Sequence, residues 1–160
     1  MKIGILADSH DNLPKILRAV EIFNAERVHE VFHAGDFVSP ITADPFSRLN
    51  APLVGVFGNN DGDRLYLTER FRKIGTLHVG SVEFELAGVR GLLMHEPRCL
   101  EALVASPYYD VIVYGHTHEI DVREGKPLVL NPGECGGWLT GRATIAILDV
   151  EEMRVRMLDL

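Results

Sequence analysis

A chain of 160 residues with 46% hydrophobic and 24% charged residues has the balance of a soluble globular protein, and its length suits one domain able to bury about 68–70% of its unfolded surface. The formal net charge of −7, with basic residues scattered among acids, excludes the basic stripe by which proteins hold duplex nucleic acid, and no run of about 18 apolar residues offers a membrane span. Met1-Lys2 leads straight into strand-like sequence without a signal-peptide core, and Cys99 and Cys135 form no Cys-x-x-Cys, so a cytoplasmic protein with two reduced cysteines is expected.

Residues 3–7, Ile-Gly-Ile-Leu-Ala, read as a buried strand that breaks abruptly into Asp8, Ser9 and His10. Polar groups that end a buried parallel strand lie at the carboxyl edge of a sheet, where open α/β sheets bind ligands. Asp8 and His10 are spaced i, i+2, so an extended backbone directs both to one side. A carboxylate and an imidazole so placed suit a transition-metal ion, although the pair carries little weight alone. In 12–23, Leu13, Ile16, Leu17, Val20 and Phe23 recur at helical spacing, with Asn12 as N-cap and Pro14 in the first turn. A second strand over 28–34 ends in Gly35-Asp36, and a short helical passage with Pro40 and Pro45 follows. A third strand over 53–57 ends in Gly58-Asn59-Asn60-Asp61, and 64–73 reads as helix.

The chain then changes character. Segments 76–79, 82–86 and 89–94 are short, alternating and separated by glycines, the pattern of antiparallel strands, and the last ends in His95. A short helix over 100–105 follows Pro97, and a strand over 111–114 ends in Gly115-His116-Thr117-His118. Segments 122–123 and 128–130 flank Gly125-Lys126 as a hairpin leading into Asn131-Pro132-Gly133. Two final strands, 143–148 and 154–158, are joined by an acidic turn. No linker, repeat or low-complexity segment interrupts. A βα first half and a β-rich second half predict an α/β (α+β) fold of two packed sheets flanked by helices, in a single domain over 1–160.

Five strand ends therefore carry Asp8/His10, Asp36, Asn59, His95 and His116/His118, with glycine directly before Asp36, Asn59 and His116. Glycine lets the backbone turn sharply and approach an ion closely. Seven donors exceed one tetrahedral ion but suit two ions sharing a carboxylate, the arrangement that clamps a phosphoryl group and ionises water. Two divalent ions, two aspartates and one hydroxide sum to about +1, enough to attract an anionic ester without a basic surface.

In this order, Asp8-x-His10, Gly35-Asp36, Gly58-Asn59-x-Asp61, His95 and Gly115-His116-x-His118 resemble the metal motifs of the calcineurin-like metallophosphoesterases over about residues 1–135. The resemblance is greatest to the compact, cap-less YfcE-like phosphodiesterases. It implies a four-layer sandwich in which Asp8, His10, Asp36 and His118 hold one ion. Asp36, Asn59, His95 and His116 would hold the other, leaving Asp36 as the bridge. The ions implied are two divalent transition metals, from Mn, Ni, Fe or Zn. The activity implied is hydrolysis of a small phosphoester, most of all a phosphodiester, by in-line attack of a metal-bridging hydroxide. A phosphomonoesterase is the nearer alternative. A protein-binding scaffold, like the metallophosphoesterase-like subunit of the retromer coat, is the farther one; loss of donors would favour it, and all seven are present. A homo-oligomer is left open.

Three positions depart from the wider family. Asn60 stands where many members carry a histidine that helps the leaving group, so Asn60 is the candidate catalytic and substrate-binding residue. It can donate a hydrogen bond but not act as a general acid. Related compact diesterases also lack that histidine, so the change bears on substrate choice. Glu96 replaces a common glycine after the metal histidine, and Glu134 a small serine after Asn-Pro-Gly, both at the expected pocket rim. Among the rest, His33 reads as a packed histidine behind the donors, and His29 and His78 as surface or strand residues. Asn12 is a cap before it is a phosphate contact. Trp138 is favoured as a rim or oligomer contact over a base-stacking residue. Arg98, near His95, is a candidate substrate contact through a bidentate guanidinium, with a solvated arginine as the equal alternative.

Overall fold

The first strand, β1 (Lys2–Leu6), is buried from Ile3 onward, and its alternation divides it between two apolar layers. Ile3 and Ile5 enter one layer and Leu6 the other, as a period of two requires. The structure, a computed structural model, describes residues 1–160. After β1 come α1 (Leu13–Glu26), β2 (Glu30–His33), a 3₁₀ turn (Pro40–Thr42), α2 (Ala43–Phe46), β3 (Leu53–Val56), α3 (Arg64–Phe71) and β4 (Gly75–His78). The second half holds β5 (Val82–Leu86), β6 (Val89–Leu93), α4 (Leu100–Val104), β7 (Val111–Val113), β8 (Ile120–Arg123), β9 (Leu128–Pro132), β10 (Thr144–Asp149) and β11 (Arg154–Asp159).

Two sheets result. A six-stranded sheet has the order β11-β10-β1-β2-β3-β4, and a five-stranded sheet the order β5-β6-β7-β9-β8. Helix α1 buries Ile16, Ala19, Val20 and Phe23 in a layer with Phe46 of α2, Leu67 and Phe71 of α3, and the outer face of the first sheet. Ile3, Ile5, Phe32, Val56, Leu93, Val111, Val113, Leu128 and Leu130 fill the space between the sheets. Leu100 of α4 joins Leu92, Ile112 and Val129 on the outer face of the second sheet. Helices, sheet, sheet and helix thus make four layers around three apolar seams, each fully buried aliphatic or aromatic side chain contributing about 1.5–3 kcal/mol. No helix is long and apolar enough to cross a membrane.

One expectation is corrected. Segment 76–79, read as antiparallel to its successor, falls in β4, which pairs in parallel with β3. Of the three alternating segments only β5 and β6 pair antiparallel, while β6 runs parallel to β7. The cause is α3, which carries the chain back over the sheet, so that β3-α3-β4 is a crossover unit and its strands are parallel. Alternation reports an extended backbone with two unlike faces, and it does not name the neighbouring strand.

Strands β1, β2 and β3 of one sheet are parallel, as are β6, β7 and β9 of the other. Their carboxyl ends are tied together within each sheet and across the sandwich. Asp8 N donates to Gly35 O at 3.0 Å, Gly115 N to His95 O at 3.1 Å, and Cys135 N to Ala7 O at 2.8 Å. His116 N reaches Asp8 Oδ2 at 3.0 Å.

Candidate metal centre

The turns that follow these strands are unusual in one respect. Asp8, His10, Asp36, His116 and His118 all hold positive φ, at 50°, 41°, 60°, 71° and 63°. Asp, Asn and His tolerate this region better than most residues, yet each such position costs on the order of 1 kcal/mol or more and persists only where its surroundings over-determine it. Asp61 supplies much of that constraint. Its buried carboxylate accepts from Gly58 N at 2.7 Å, Asp36 N at 3.2 Å and Val38 N at 2.7 Å, fastening the turn after β2 to the turn after β3. Behind them, His33 is fully buried and stacked on Phe37 at 3.6 Å between ring centroids. Gly35 N donates to its Nδ1 at 3.1 Å, so Nε2 carries the proton and donates to Ser9 Oγ at 2.9 Å. Burial drives its pKa well below the usual value. His33 is therefore a neutral packed residue.

The structure brings all seven sequence-predicted donors together, in two groups that meet at Asp36. In the first, Asp8 Oδ1 lies 3.6 Å from His118 Nε2 and 3.9 Å from His10 Nε2, and Asp36 Oδ2 is 3.4 Å from His10 Nε2. In the second, the same Asp36 Oδ2 is 3.5 Å from His95 Nε2. Asn59 Oδ1 is there 2.8 Å from His95 Nε2 and 2.9 Å from His116 Nδ1, and the two ring nitrogens are 3.3 Å apart. Donors about 2.1 Å from one ion stand roughly 3.0–4.2 Å from each other, cis to trans. The first group, at 3.4–3.9 Å, falls within that spacing, and the second, at 2.8–3.5 Å, lies at its tight edge.

Protonation states test the fit further. His95 Nδ1 is 2.8 Å from the Ala34 carbonyl, which can only accept, so the proton sits on Nδ1. Burial lowers the His95 pKa despite the Asp36 charge. The ring is thus neutral, and its bare Nε2 points at two further acceptors, Asn59 Oδ1 and Asp36 Oδ2. Three converging lone pairs without a proton among them repel unless a cation lies between them. His10 Nε2 is buried with no hydrogen-bond partner, and burial lowers its pKa as well. Burial and the charge of Asp36 push the Asp8 carboxyl up to about 8. Each anomaly is relieved by a divalent ion, and the residues present fit one.

Glu134 is the residue that sequence reasoning misplaced. Expected at the rim, it is fully buried beneath the first group. Its Oε2 lies 3.0 Å from His118 Nδ1, which orients the ring so that Nε2 faces Asp8. It also accepts from Trp138 N at 3.0 Å, Leu139 N at 2.9 Å and the Thr140 hydroxyl at 2.7 Å. Burial alone would raise its pKa, but the Thr140 and Leu139 donors and His118 outweigh burial and draw it down to about 2. The available signal was Gly136-Gly137 just behind it, since a carboxylate before a tight glycine loop commonly collects that loop's N–H groups.

Asn60 sits on the bridge itself, its N donating to Asp36 Oδ1 at 2.8 Å and its Nδ2 to Asp36 Oδ2 at 2.7 Å. Beside the second group a cavity of about 580 Å³ shares Asn59 and His95 in its lining, with Arg64, Glu96 and Arg98 around it. Arg64 was not foreseen. Its guanidinium donates to Gly58 O at 2.9 Å and Asp61 O at 3.3 Å and lies 5.2 Å over the Phe57 ring, bracing the Asn59 turn. Arg98 is exposed and donates to Glu96 Oε2 at 2.8 Å, away from the seven donors. That contact holds the Glu96 carboxyl below the usual carboxylate range.

Comparison with known proteins agrees with this geometry. Phosphodiesterase MJ0936 of Methanocaldococcus jannaschii is 44% identical over 161 aligned residues, which span 98% of this chain and 97% of the relative. The solved structure of a novel archaeal phosphodiesterase superposes with a TM-score of 0.94 at 43% identity, covering 100% of both chains. Yfce, a phosphoesterase from E. coli, has the same fold, with a TM-score of 0.66 at 22% identity over 99% of this chain and 98% of its own. Residues 1–153 match the calcineurin-like phosphoesterase superfamily domain, and the chain belongs to that superfamily.

Proposed function

We propose that this protein is a dinuclear, metal-dependent phosphodiesterase, working as one cap-less domain over residues 1–160 on a small phosphoester in the cytoplasm. Asp8, His10, Asp36 and His118 hold one ion; Asp36, Asn59, His95 and His116 hold the second. The abundance of imidazole points to Mn, Ni, Fe or Zn over Mg or Ca. The observation that carries the reading is the meeting of unprotonated acceptors at His95 Nε2, Asn59 Oδ1 and Asp36 Oδ2, 2.8 and 3.5 Å apart. When bound, divalent ions polarise phosphoryl oxygens and bring the pKa of water near neutrality. The matches to an archaeal phosphodiesterase, in sequence and in solved structure, favour a diester over a monoester.

The chain's own part is positioning. The Ala34 carbonyl and Glu134 fix the tautomers of His95 and His118 so that Nε2 of each faces inward. Asp36 spans both groups. The Asn60 amide, which donates to Asp36 Oδ2, would be released to donate to a phosphoryl oxygen if an ion engaged that carboxylate, but it has no proton to give a departing alkoxide. Glu96, ion-paired with Arg98, stays ionised and is no general acid either. Arg98 at the cavity mouth can meet a substrate oxygen after exchanging Glu96 for it.

The test is a series of diesters and monoesters of graded leaving-group pKa, assayed after stripping metals and restoring Mn, Ni, Fe, Zn or Mg. Diester hydrolysis with transition metals is expected, falling steeply as the leaving group becomes more basic, because general-acid help worth about 10²–10⁴-fold is missing. Glu96→Gln should have the same slope. A flat dependence in the wild type that turns steep in Glu96→Gln would make Glu96 the acid. Absence of hydrolysis with every one of the ions would favour a scaffold role.

A further inference from the structure

Trp138 is the chain's one tryptophan, and it is 64% exposed yet firmly held. Its indole Nε1 donates to the His10 carbonyl at 3.0 Å, and its backbone N–H donates to the buried Glu134 at 3.0 Å. The ring lies against Gly136, where an added Cβ would come within 2.9 Å of Trp138 Cδ1. Gly136 donates its own N–H to the Asp8 carbonyl at 3.0 Å and accepts from Asn12 Nδ2 at 2.7 Å. The indole is thereby tied to the backbones of Asp8 and His10, two donors of the first group. Its single polar atom is satisfied within the protein, so what it offers to an incoming molecule is a bare π surface. Leu139, next in the chain, is 75% exposed as well. A large apolar surface left in water at the edge of a polar centre is unfavourable unless something flat covers it.

We propose that Trp138 is the floor of an aromatic subsite, stacking on a flat ring, aryl or nucleobase, carried by one arm of the phosphoester. The inference rests on the phosphodiesterase reading and narrows its substrate class. The ring's fixed attachment makes it a pre-organised surface, which loses little freedom when a ligand stacks on it. Its position on the His10 side places it away from the cavity that adjoins Asn59 and His95, so a diester has a separate contact for each arm. The subsite recognises no sequence of hydrogen bonds, only a π face, and so tolerates different rings.

A single tryptophan makes the test direct. Metal-loaded protein is titrated with adenosine 5′-monophosphate and with ribose 5-phosphate, which share a phosphate and differ by the ring. Tryptophan emission and calorimetry are followed together. The nucleotide is expected to quench emission saturably and to bind about tenfold tighter than the sugar phosphate, the scale of one base–aromatic stack. Trp138→Leu should bring the two affinities within about twofold, while Trp138→Phe keeps most of the difference. Equal affinities in the wild type, or a gap unchanged in Trp138→Leu, overturns the subsite. So does a dimer in sedimentation whose formation shifts the emission of ligand-free protein, because a second copy then covers the ring. Failure of both phosphates to bind metal-loaded protein overturns the phosphoesterase reading, and the subsite with it.

Discussion

The carboxylate of Glu134 decides more about this centre than its place in the sequence suggests. Four of its contacts are N–H or O–H groups of residues 138–140, and the fifth is the Nδ1 of His118. One buried anion thus shapes the loop that carries Trp138 and turns His118 toward Asp8. A histidine whose far nitrogen donates to a carboxylate is a better and better-aimed ligand, and loss of such a partner typically weakens metal binding about 10–100-fold. Glu134→Gln is expected to lose affinity within that range at the first group while the second group, built on His95 and Asn59, still fills. Stoichiometric metal titration separates the two. Equal weakening of both ions would mean that Glu134 acts through general stability, which a thermal melt run alongside would register.

Elements set the centre by where they end. Six parallel strands from two sheets deliver their carboxyl termini to one place, and the turns there are packed to the limit of contact. At Gly58, two residues after β3, an added Cβ would lie 2.1 Å from Asp36 Oδ1 and 2.6 Å from Asp36 N. Glycine is required there by close approach. At Gly35, before Asp36, φ is 94° and an added Cβ would meet His95 Nδ1 at 2.5 Å, so steric and conformational reasons coincide. Gly58→Ala must displace the Asp36 carboxylate, and forcing such a contact costs about 1–3 kcal/mol. Both ions should be lost on dialysis, because Asp36 belongs to both groups. Gly62→Ala, four residues on with nothing within 4 Å of its added Cβ, is the control and should change stability by no more than about 0.5 kcal/mol. Retention of two ions by Gly58→Ala would show that the turn can yield without moving the bridge.

At the scale of the whole molecule, the acidic charge balance and the proposed metal-loaded centre would be complementary. A net charge of −7 repels polyanions, so under the proposed reading the attraction for an anionic ester would come from bound ions. Without ions, the centre should work against the fold in a pH-dependent way. Unfolded, Asp8 ionises near the reference value of about 3.9; folded and metal-free, burial and Asp36 keep it protonated up to about 8. The native state then binds more protons than the unfolded one, and stability falls as pH rises through that window. The buried histidines His33 and His95 and the half-buried His10, with lowered pKas, act in the opposite sense. Their penalty applies as pH falls below about 6.5 and is gone above it. Between about pH 6.5 and 8, Asp8 governs. Denaturant unfolding in chelator should therefore show stability declining across this range, with a slope approaching about 1.4 kcal/mol per pH unit for one proton. Asp8→Asn should flatten the curve, and a wild-type curve that is already flat would remove Asp8 from this role.

The sequence by itself determined the strands, the first helix and the polar residues at the strand ends, because these follow from local rules. Side-chain period, capping at Asn12 and the abrupt change from Ile-Leu-Ala to Asp-Ser-His are properties of neighbouring residues. Asp8, His10, Asp36, Asn59, His95, His116 and His118 were legible for that reason, and the family motif supplied their grouping. Only the tertiary structure decided what depends on partners distant in the chain. It paired β4 with β3, since α3 reverses the direction of travel. It brought the Asp8 carboxylate to the His116 amide, 108 positions away, and so packed five donors into left-handed turns that no local preference demands. It buried Glu134 under His118 and set Arg64 against the Asn59 turn. It also hung Trp138 on the His10 carbonyl, turning a residue favoured as a rim contact into a fixed aromatic surface beside the candidate ions. Local patterns state what a residue can do, and packing selects which residue it meets.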